Sequence, residues 1–483
     1  MRSSALDAAT DQMGATAYAL GGSGYDEAFS HTDVPRRHYR ELLARLSGTD
    51  LAALRARVQR DLAANHVAFS TGEDRTEQFV VDPIPRLIPR AEWEPLASGL
   101  RQRVMALDRF VADVHGAQAI IREGAVPEAA VLSARHFDPL ARLIPVSPTG
   151  ARIGIAGLDL VRDAAGRVLV LEDNVRTPSG MAYASAARSA VLSALEWAQA
   201  PAVASLESAF SALGATLRAA AHDPSPDTLV VLLSDGPCNS AWWEHEWLAD
   251  RLALPLVTMD DLEVRGQRLW LSRHRARARP IEVVYRRTDE DRLTDGRGRL
   301  TDIGQLLWEP LRAGRLACVN AFGTGVADDK LLFAYVPAMI RFYLGEEPLL
   351  DSVTTYDLGD PRQLAAALPR VGELVIKPRT GHGGHGVFVG PHASDTDRHR
   401  MADLIRSRPH QLVAQEMISL STHPSIIDGC LEPRHVDLRP YVFLSSQTPS
   451  VFPGGVTRVA LDQGDTVVNS SQSGGGKDTW VLA

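Results

Sequence analysis

Three oxygen-bearing side chains are spaced as a bound metal ion would require. Asp159 lies near the end of an apolar run at 153–161. Glu172 and Asn174 follow a second apolar run at 167–171, and the turn between the runs contains Asp and Gly, which favours a β-hairpin. Because alternate residues of a strand face the same way, the three side chains can converge across this hairpin. Two carboxylates and an amide oxygen suit Mg²⁺ held together with phosphate groups; solvated turn carboxylates are the other interpretation.

A glycine-rich stretch further along the chain could bind phosphate. It lies between an apolar run that ends at Lys377 and another at 387–389, so we expect a hairpin loop. Backbone N–H groups of glycines can approach phosphate oxygens closely, and a lysine at the strand end adds a positive charge. A Walker loop is excluded, since it requires a strand–loop–helix context and Gly-Lys-Ser/Thr; a flexible surface hairpin is the alternative. The glycines are Gly381, Gly383, Gly384 and Gly386.

Two further segments carry weaker signals. Lys330 follows two aspartates ahead of a helical stretch at 331–341, a pattern that also occurs as a simple helix-start charge arrangement. The run at 411–415 leads into a Gln-Glu-apolar-apolar sequence that could present its backbone to an adenine ring. An edge strand that turns polar is an equal alternative for this segment. Its four residues are Gln415, Glu416, Met417 and Ile418.

The surrounding pattern predicts the elements that position these residues. Helical spacing dominates from 36 to 66 and again from 92 to 114, which indicates a largely helical N-terminal region. Apolar runs alternate with a helical stretch between 226 and 320, which predicts a small α/β domain with a parallel sheet. The final third contains several short strands. We therefore expect an α/β (α+β) protein of more than one domain.

Composition excludes several classes of protein. The chain has 483 residues with a net charge of −8, so no overall positive field attracts nucleic acid or an anionic membrane. An apolar run long enough for a signal peptide or a membrane span is absent from the sequence. Its three cysteines lie far apart, which suits reduced thiols and predicts a cytoplasmic protein.

Together, these motifs resemble the ATP-grasp superfamily of carboxylate–amine ligases. In that superfamily one lysine precedes the central domain, a second lysine ends a strand, and a glycine-rich loop covers the phosphates. An adenine-contacting strand, an Asp-x-Arg strand and an Asn before paired glycines follow. The corresponding positions here are Lys330, Lys377, Gly381–Gly386, Gln415–Ile418, Asp437–Arg439 and Asn469.

The order of the motifs resembles a circular permutation of that fold. The metal hairpin normally comes last, but here it precedes all the other motifs; joining residue 483 to about residue 151 would restore the order. The chain is thus similar to circularly permuted ATP-grasp proteins and, more distantly, to ligases of the glutathionylspermidine-synthetase type. The permutation predicts that the strand near Trp480 pairs beside the strand around 151–158. The implied division is a flexible leader (1–35), a helical region (36–145), the metal-binding part (146–225), a small α/β domain (226–325) and the nucleotide-binding part (326–483).

The resemblance implies an ATP-dependent ligase that forms an acyl phosphate and joins the acyl group to an amine, using two Mg²⁺ ions for which Mn²⁺ can substitute. The metal ligands would be Asp159, Glu172 and Asn174. Arg439 would stabilise the transferring phosphoryl group, with Arg176, Arg458 and Lys477 as alternatives, because Gly157 stands where some ATP-grasp ligases carry an arginine. The substrates would be a small-molecule or peptide carboxylate and an amine, with neither nucleic acid nor membrane as partner; homo-oligomer formation stays open.

Other functions fit the same residues. A phosphotransferase could pass the phosphoryl group to a hydroxyl or a histidine, for which His435 is one acceptor. A non-catalytic nucleotide-binding subunit and a nucleic-acid binder using the basic run Arg273–Arg279 are further alternatives. His382 and His385 in the glycine-rich loop would either contact phosphate or be exposed without a catalytic task.

Overall fold

The computed structural model describes residues 18–20, 24–32, 34–71, 75–147, 150–197, 201–272, 279–381, 386–445, 449–462 and 474–483. Within these ranges the chain forms several β-sheets with helices packed against them, which confirms the predicted mixed α/β class. Of the basic run Arg273–Arg279, only Arg279 lies inside the described residues.

The N-terminal region is largely helical but also contributes strands. Asp50 caps one helix by accepting the Ala53 N–H at 2.9 Å, which satisfies one of the free donors at a helix start. The proline-rich segment at 81–88 is a fully buried strand at the edge of its sheet, where a missing N–H can be tolerated. The elements are β1 (Phe29–His31), β2 (Val34–Pro35), α1 (Arg40–Leu46), α2 (Leu51–Ala64), β3 (Ala68–Ser70), β4 (Thr76–Gln78), β5 (Val81–Ile88), α3 (Arg90–Val114), α4 (Ala119–Arg122) and α5 (Glu128–Leu132).

The predicted metal hairpin is present as two antiparallel strands, β6 (Ile155–Arg162) and β7 (Val168–Asn174). The Asp163 side chain closes the turn by accepting the backbone N–H of Arg167 at 2.8 Å. Two helices follow the hairpin. They are α6 (Met181–Leu195) and α7 (Glu207–Ala219).

The segment after α7 folds as the small α/β domain that the sequence predicts. Its main sheet has the order β13-β12-β8-β9, and every neighbouring pair is parallel. The carboxyl ends of β8 and β12 lie side by side where the strand order reverses, a common place for ligand binding in open parallel sheets. The elements are β8 (Val230–Ser234), α8 (Trp242–Arg251), β9 (Leu256–Val257), β10 (Leu262–Arg265), β11 (Arg268–Leu271), β12 (Val283–Arg287), α9 (Asp302–Arg312) and β13 (Ala317–Val319).

The final third supplies strands to four sheets, one of which is the two-stranded sheet β19-β20. One antiparallel sheet has the order β15-β18-β16-β17, and the metal hairpin lies in a second sheet of order β14-β7-β6-β21-β22. In a third sheet, β23-β24-β5, the C-terminal strand β24 lies beside β5 of the N-terminal region. The elements are β14 (Asp351–Ser352), β15 (Thr355–Asp357), β16 (Leu374–Pro378), β17 (Phe388–Val389), β18 (Leu412–Glu416), β19 (Thr422–Ile427), β20 (Cys430–His435), β21 (Tyr441–Phe443), β22 (Ser450–Val451), β23 (Thr457–Val459) and β24 (Gly475–Val481), with helices α10 (Val336–Leu344), α11 (Pro361–Ala367) and α12 (Asp395–Ser407).

The predicted partner of the C-terminal strand is wrong. β24, which contains Trp480, pairs in parallel with β5 and antiparallel with β23, whereas β6 is flanked by β7 and β21. The sequence did not identify β5 as the partner strand, because the prolines of β5 argue against a position in a sheet. The buried apolar residues of β5 nevertheless need a neighbouring strand, and β24 covers them.

The end of the expected leader is packed rather than loose. Phe29 stacks on Tyr18 with ring centroids 4.6 Å apart, and the buried Glu27 forms an ion pair with Arg86 at 2.5 Å. Buried apolar contacts together with an ion pair therefore hold this segment against the rest of the protein. Within the described part of the chain, no helix combines the length and apolar character needed to cross a bilayer.

We predict that the core around α3 carries much of the stability. Leu107 in α3 is fully buried, whereas Leu349 is 60% exposed. Leu107→Ala should lower the free energy of unfolding by about 2–5 kcal/mol, because it removes apolar contacts and leaves a cavity. Leu349→Ala removes the same atoms from the surface and should change the free energy of unfolding by less than about 0.5 kcal/mol. Urea denaturation followed by circular dichroism measures both; equal losses would contradict this placement of the core.

Candidate active site

The metal hairpin presents its three candidate ligands on one face. Asp159 lies directly opposite Glu172, and Gly157 lies opposite Asn174. A β-bulge follows the Asp159–Glu172 pair, since Leu160 pairs with Val170 and Leu171 is the extra residue. All three candidate ligands line the same cavity, so the structure brings together the set predicted from spacing.

Two arginines hold the carboxylate of Asp159. Arg439 donates to its oxygens at 2.5 and 2.7 Å, and Arg458 lies 2.9 Å away. Arg458 also donates to Asp437 at 2.9 Å, so two buried aspartates and two partly exposed arginines form one network. Burial alone would raise the pKa of Asp159, but Arg439 and Arg458 outweigh it and hold this pKa below its ordinary value.

The two predicted lysines approach the hairpin from different segments. Lys330 donates to Glu172 at 2.7 Å and to the carbonyl oxygen of Gly381 at 2.8 Å. Lys377, at the end of β16, donates to the side-chain oxygen of Gln415 at 2.6 Å. Burial lowers the pKa of Lys377; Glu172 opposes this effect and Lys330 adds to it.

Part of the glycine-rich loop can be placed. Gly381 lines the cavity, and Gly386 has φ of +75°, a left-handed conformation that favours glycine. Several predicted residues lie outside the described part of the chain: His382, Gly383, Gly384, His385 and Asn469.

An apolar end of the cavity adjoins the predicted adenine-contacting strand. Gln415 and Glu416 end β18, and Met417 and Ile418 follow it along the cavity wall. The Glu416 side chain is paired with Arg370 at 2.8 and 2.9 Å. The other apolar residues at this end are Val161, Leu171, Val375, Val389 and Leu420.

At the opposite end, the turn from Pro178 to Gly180 is held by its backbone. Arg287 donates to the Pro178 carbonyl oxygen at 2.6 Å, and Tyr441 donates to that of Ser179 at 2.8 Å. The N–H of Gly180 donates to Glu244 at 2.7 Å. These backbone groups are therefore occupied within the protein.

A buried ion pair joins this turn to the small α/β domain. Glu244 in α8 pairs with Arg287 in β12 at 2.9 Å, and both side chains are almost completely buried. Neither residue is predicted from the sequence. A charged residue in a helix and an arginine that ends a strand carry no sequence signal that they pair with each other beside the Pro178–Gly180 turn.

The remaining candidates differ in position. Arg176 lines the cavity but is engaged by Asp328 at 2.5 Å and lies 3.6 Å from Asp291. Lys477, an alternative for the phosphoryl-stabilising role, is buried against Asp82 in β5 and is not among the residues that line the cavity. His435, considered as a phosphate acceptor, is also absent from the described cavity wall.

One cavity of about 1010 Å³ connects the apolar end, the lysines, the hairpin and the turn. This volume is at the upper end of the range for small-molecule sites. Among the described residues, no three His, Cys, Asp or Glu side chains are grouped to hold a metal by themselves. The hairpin offers two carboxylates and the Asn174 carboxamide, whose nitrogen is buried without a hydrogen-bond partner in the described residues. This oxygen-donor set fits a hard divalent cation that is also bound by phosphate.

A family profile matches most of the chain. The profile described as "Circularly permuted ATP-grasp type 2" matches residues 85–460. Among solved structures, a glutathione synthetase-like effector from Globodera pallida in its apo form superposes with a TM-score of 0.59. The superposition covers 90% of this chain and 98% of the effector at 10% sequence identity, so it supports the fold alone.

Several curated proteins are similar over almost the whole chain. An uncharacterised protein of Mycobacterium tuberculosis is 40% identical over 95% of this chain and 84% of its own length. One of Synechocystis is 40% identical over 95% of this chain and 97% of its own length. A Frankia casuarinae protein named as a candidate glutamate–cysteine ligase is 39% identical over 95% of this chain, which spans 54% of that protein.

We predict that the turn tolerates no side chain at residue 180. Gly180 has φ of +124°, and an added Cβ would lie 2.1 Å from the Tyr441 hydroxyl oxygen. Gly180→Ala should lower the free energy of unfolding by more than about 2 kcal/mol, because strain and overlap act together. Gly48 has φ of +83° with open space around it, so Gly48→Ala should cost about 1 kcal/mol. Thermal denaturation compares the two variants; an equal or smaller loss for Gly180→Ala would contradict the close packing.

Proposed function

Because the chain belongs to the circularly permuted ATP-grasp family, we propose that it activates a carboxylate with ATP and joins the acyl group to an amine. A carboxylate oxygen attacks the γ-phosphorus, and ADP leaves. The amine nitrogen then attacks the acyl carbon, the bond to phosphate breaks, and phosphate departs with the proton of the amine. The observation that carries this proposal is the single cavity joining the lysines and oxygen donors to the Pro178–Gly180 turn.

The nucleotide would occupy the half of the cavity next to β18. The apolar side chains of Val375, Ile418 and Leu420 suit the faces of an adenine ring. Lys377 and Lys330 lie where this half meets the hairpin, and their ammonium groups would bind the phosphates. Phosphoryl transfer depends on positioning and charge neutralisation, which such an arrangement supplies.

Two Mg²⁺ ions, or Mn²⁺ in their place, would be held by Asp159, Glu172, Asn174 and the nucleotide phosphates. When bound, these ions neutralise the charge that develops on the transferring phosphoryl group. In the structure, Asp159 is paired with Arg439 and Arg458, and Glu172 with Lys330. Phosphate groups would give Lys330 and the two arginines another anionic partner. Asp159 and Glu172 would then be free to bind metal.

The carboxylate substrate would lie between the arginine network and the turn. Arg439 and Arg458 reach the hairpin at Asp159, where the phosphoryl group would be transferred, so we assign them the stabilising role. The hydroxyl groups of Thr177 and Ser179 line the cavity, and within the described residues neither donates to a protein acceptor. They would donate hydrogen bonds to the carboxylate, while Arg176 adds positive charge nearby.

A relative's name agrees with this chemistry. Glutamate–cysteine ligation, after which the Frankia casuarinae protein is named, joins a carboxylate to an amine. The match spans only 54% of that protein, so the name supports the class of reaction proposed here and leaves the substrates of this chain open.

We predict that the hairpin ligands are required for ATP turnover. Glu172→Gln and Asn174→Ala should each lower ADP release on the order of 100-fold or more. Each variant removes a ligand of the Mg²⁺ ions that would neutralise the phosphate charge. Circular dichroism should show an unchanged fold, since both side chains face the cavity. Glu123→Gln alters an exposed residue away from the cavity and should keep full activity. Turnover like that of the unmodified protein in either hairpin variant would remove the metal assignment.

We predict that hydroxylamine will trap the activated carboxylate. A panel of carboxylates is incubated with MgATP and hydroxylamine, and ADP and hydroxamate are measured. The productive carboxylate should give the two products in equal amounts, because hydroxylamine attacks the acyl phosphate in place of the amine. ADP together with a stable phosphorylated product that hydroxylamine does not consume would instead establish a kinase. If the protein does not bind nucleotide, the proposed ligase function is wrong.

A further inference from the structure

We propose that the buried ion pair between Asp329 and Arg379 is a positioning element that sets the spacing of the two phosphate-binding lysines. This inference rests on the proposed ATP site. Neither residue is among those that line the main cavity, so their effect on nucleotide would act through their neighbours. Asp329 immediately precedes Lys330, and Arg379 follows Lys377 by two residues.

The hydrogen bonds of Arg379 are fully used within the protein. Its guanidinium group donates to both oxygens of Asp329, each at 3.0 Å. The other donors reach the Ser133 hydroxyl at 2.8 Å and the carbonyl oxygens of Ala130 at 2.9 Å and His410 at 3.3 Å. A planar guanidinium with all five N–H groups engaged holds the backbone around it in one arrangement.

Two parallel links connect the same two segments. Asp329 binds Arg379, and the next residue, Lys330, binds the carbonyl oxygen of Gly381 at 2.8 Å. The segment ending at Lys330 is thus fixed against the end of β16 at two successive points. Lys377 lies in β16, just before the first link. The distance between the two ammonium groups is therefore set by the ion pair and not by the stretch of chain in which Lys377 follows Lys330 by 47 positions.

A third contact carries the same segment to the hairpin. Asp328 accepts the backbone N–H of Val175 at 2.7 Å and the side chain of Arg176 at 2.5 Å. Three consecutive residues, Asp328, Asp329 and Lys330, thus contact the segment that follows β7, the end of β16 and Glu172. Through Ala130 and Ser133, Arg379 also ties this junction to the helical N-terminal region.

The test measures nucleotide affinity separately from stability. Arg379→Gln together with Asp329→Asn removes both charges, so no unpaired charge stays buried, and Asn retains an oxygen for the Leu331 N–H that Asp329 caps. The matched control is Arg188→Gln with Asp478→Asn, a buried pair at 2.7 Å whose members do not line the cavity. Binding of MgADP is measured by isothermal titration calorimetry, and stability by thermal denaturation.

We expect the Arg379/Asp329 double variant to weaken MgADP binding at least tenfold, whereas the control pair lowers the denaturation midpoint without changing affinity. Arg379→Lys keeps the charge but loses the two-point contact, so it should weaken binding by a smaller factor. If the double variant does not fold, the affinity of Arg379→Lys for MgADP tests the inference instead.

Two outcomes would overturn this inference. One is unchanged affinity in the Arg379 variants, and the other is an equal loss of affinity in the control pair. If the unmodified protein binds neither ATP nor ADP, the proposed function itself fails.

Discussion

Charge balance at the lysine and arginine end of the cavity is the constraint on which the rest of the site depends. Lys330, Lys377, Arg439 and Arg458 line one cavity, where the proposed function needs them to bind phosphates, yet like charges repel strongly in a buried site. Carboxylates separate them: Glu172 contacts Lys330, and Asp159 and Asp437 contact the arginines. Asp159 and Glu172, the carboxylates that would bind metal, therefore also offset the positive charges, so nucleotide and metal would act on one network.

The end of the cavity at the Pro178–Gly180 turn, where the substrate is proposed to lie, is built from two sheets that are separate in the sequence. The Pro178–Gly180 turn extends from the metal hairpin, but Arg287 and Glu244 of the small α/β domain and Tyr441 of β21 hold its backbone. Because the peptide groups point into the protein, side chains of the turn are left to face the cavity. The α/β domain thus takes part in the proposed chemistry by fixing a turn that it does not contain.

Features that follow from local geometry could be predicted from the sequence. The spacing of Asp159, Glu172 and Asn174 identified a hairpin whose register places them on one face, because side chains alternate along strands. Alternating strands and helices correctly indicated a parallel sheet. Pairing over long sequence distances was predicted less well. The C-terminal strand joins β5 and not β6, since the prolines of β5 masked a buried strand that required a partner.

The sequence by itself determined the chemistry that the chain can offer: oxygen donors, two lysines and a glycine-rich loop in an order that resembles permuted ATP-grasp proteins. Residue types and short spacings carry that information, because strand periodicity and turn chemistry act over a few residues. Only the tertiary structure decided which charges meet. Arginine and aspartate are numerous and interchangeable in sequence, so nothing local could assign Arg439 to Asp159, Arg379 to Asp329 or Glu244 to Arg287. Those pairings follow from how the sheets and domains pack, and they set the geometry of the site.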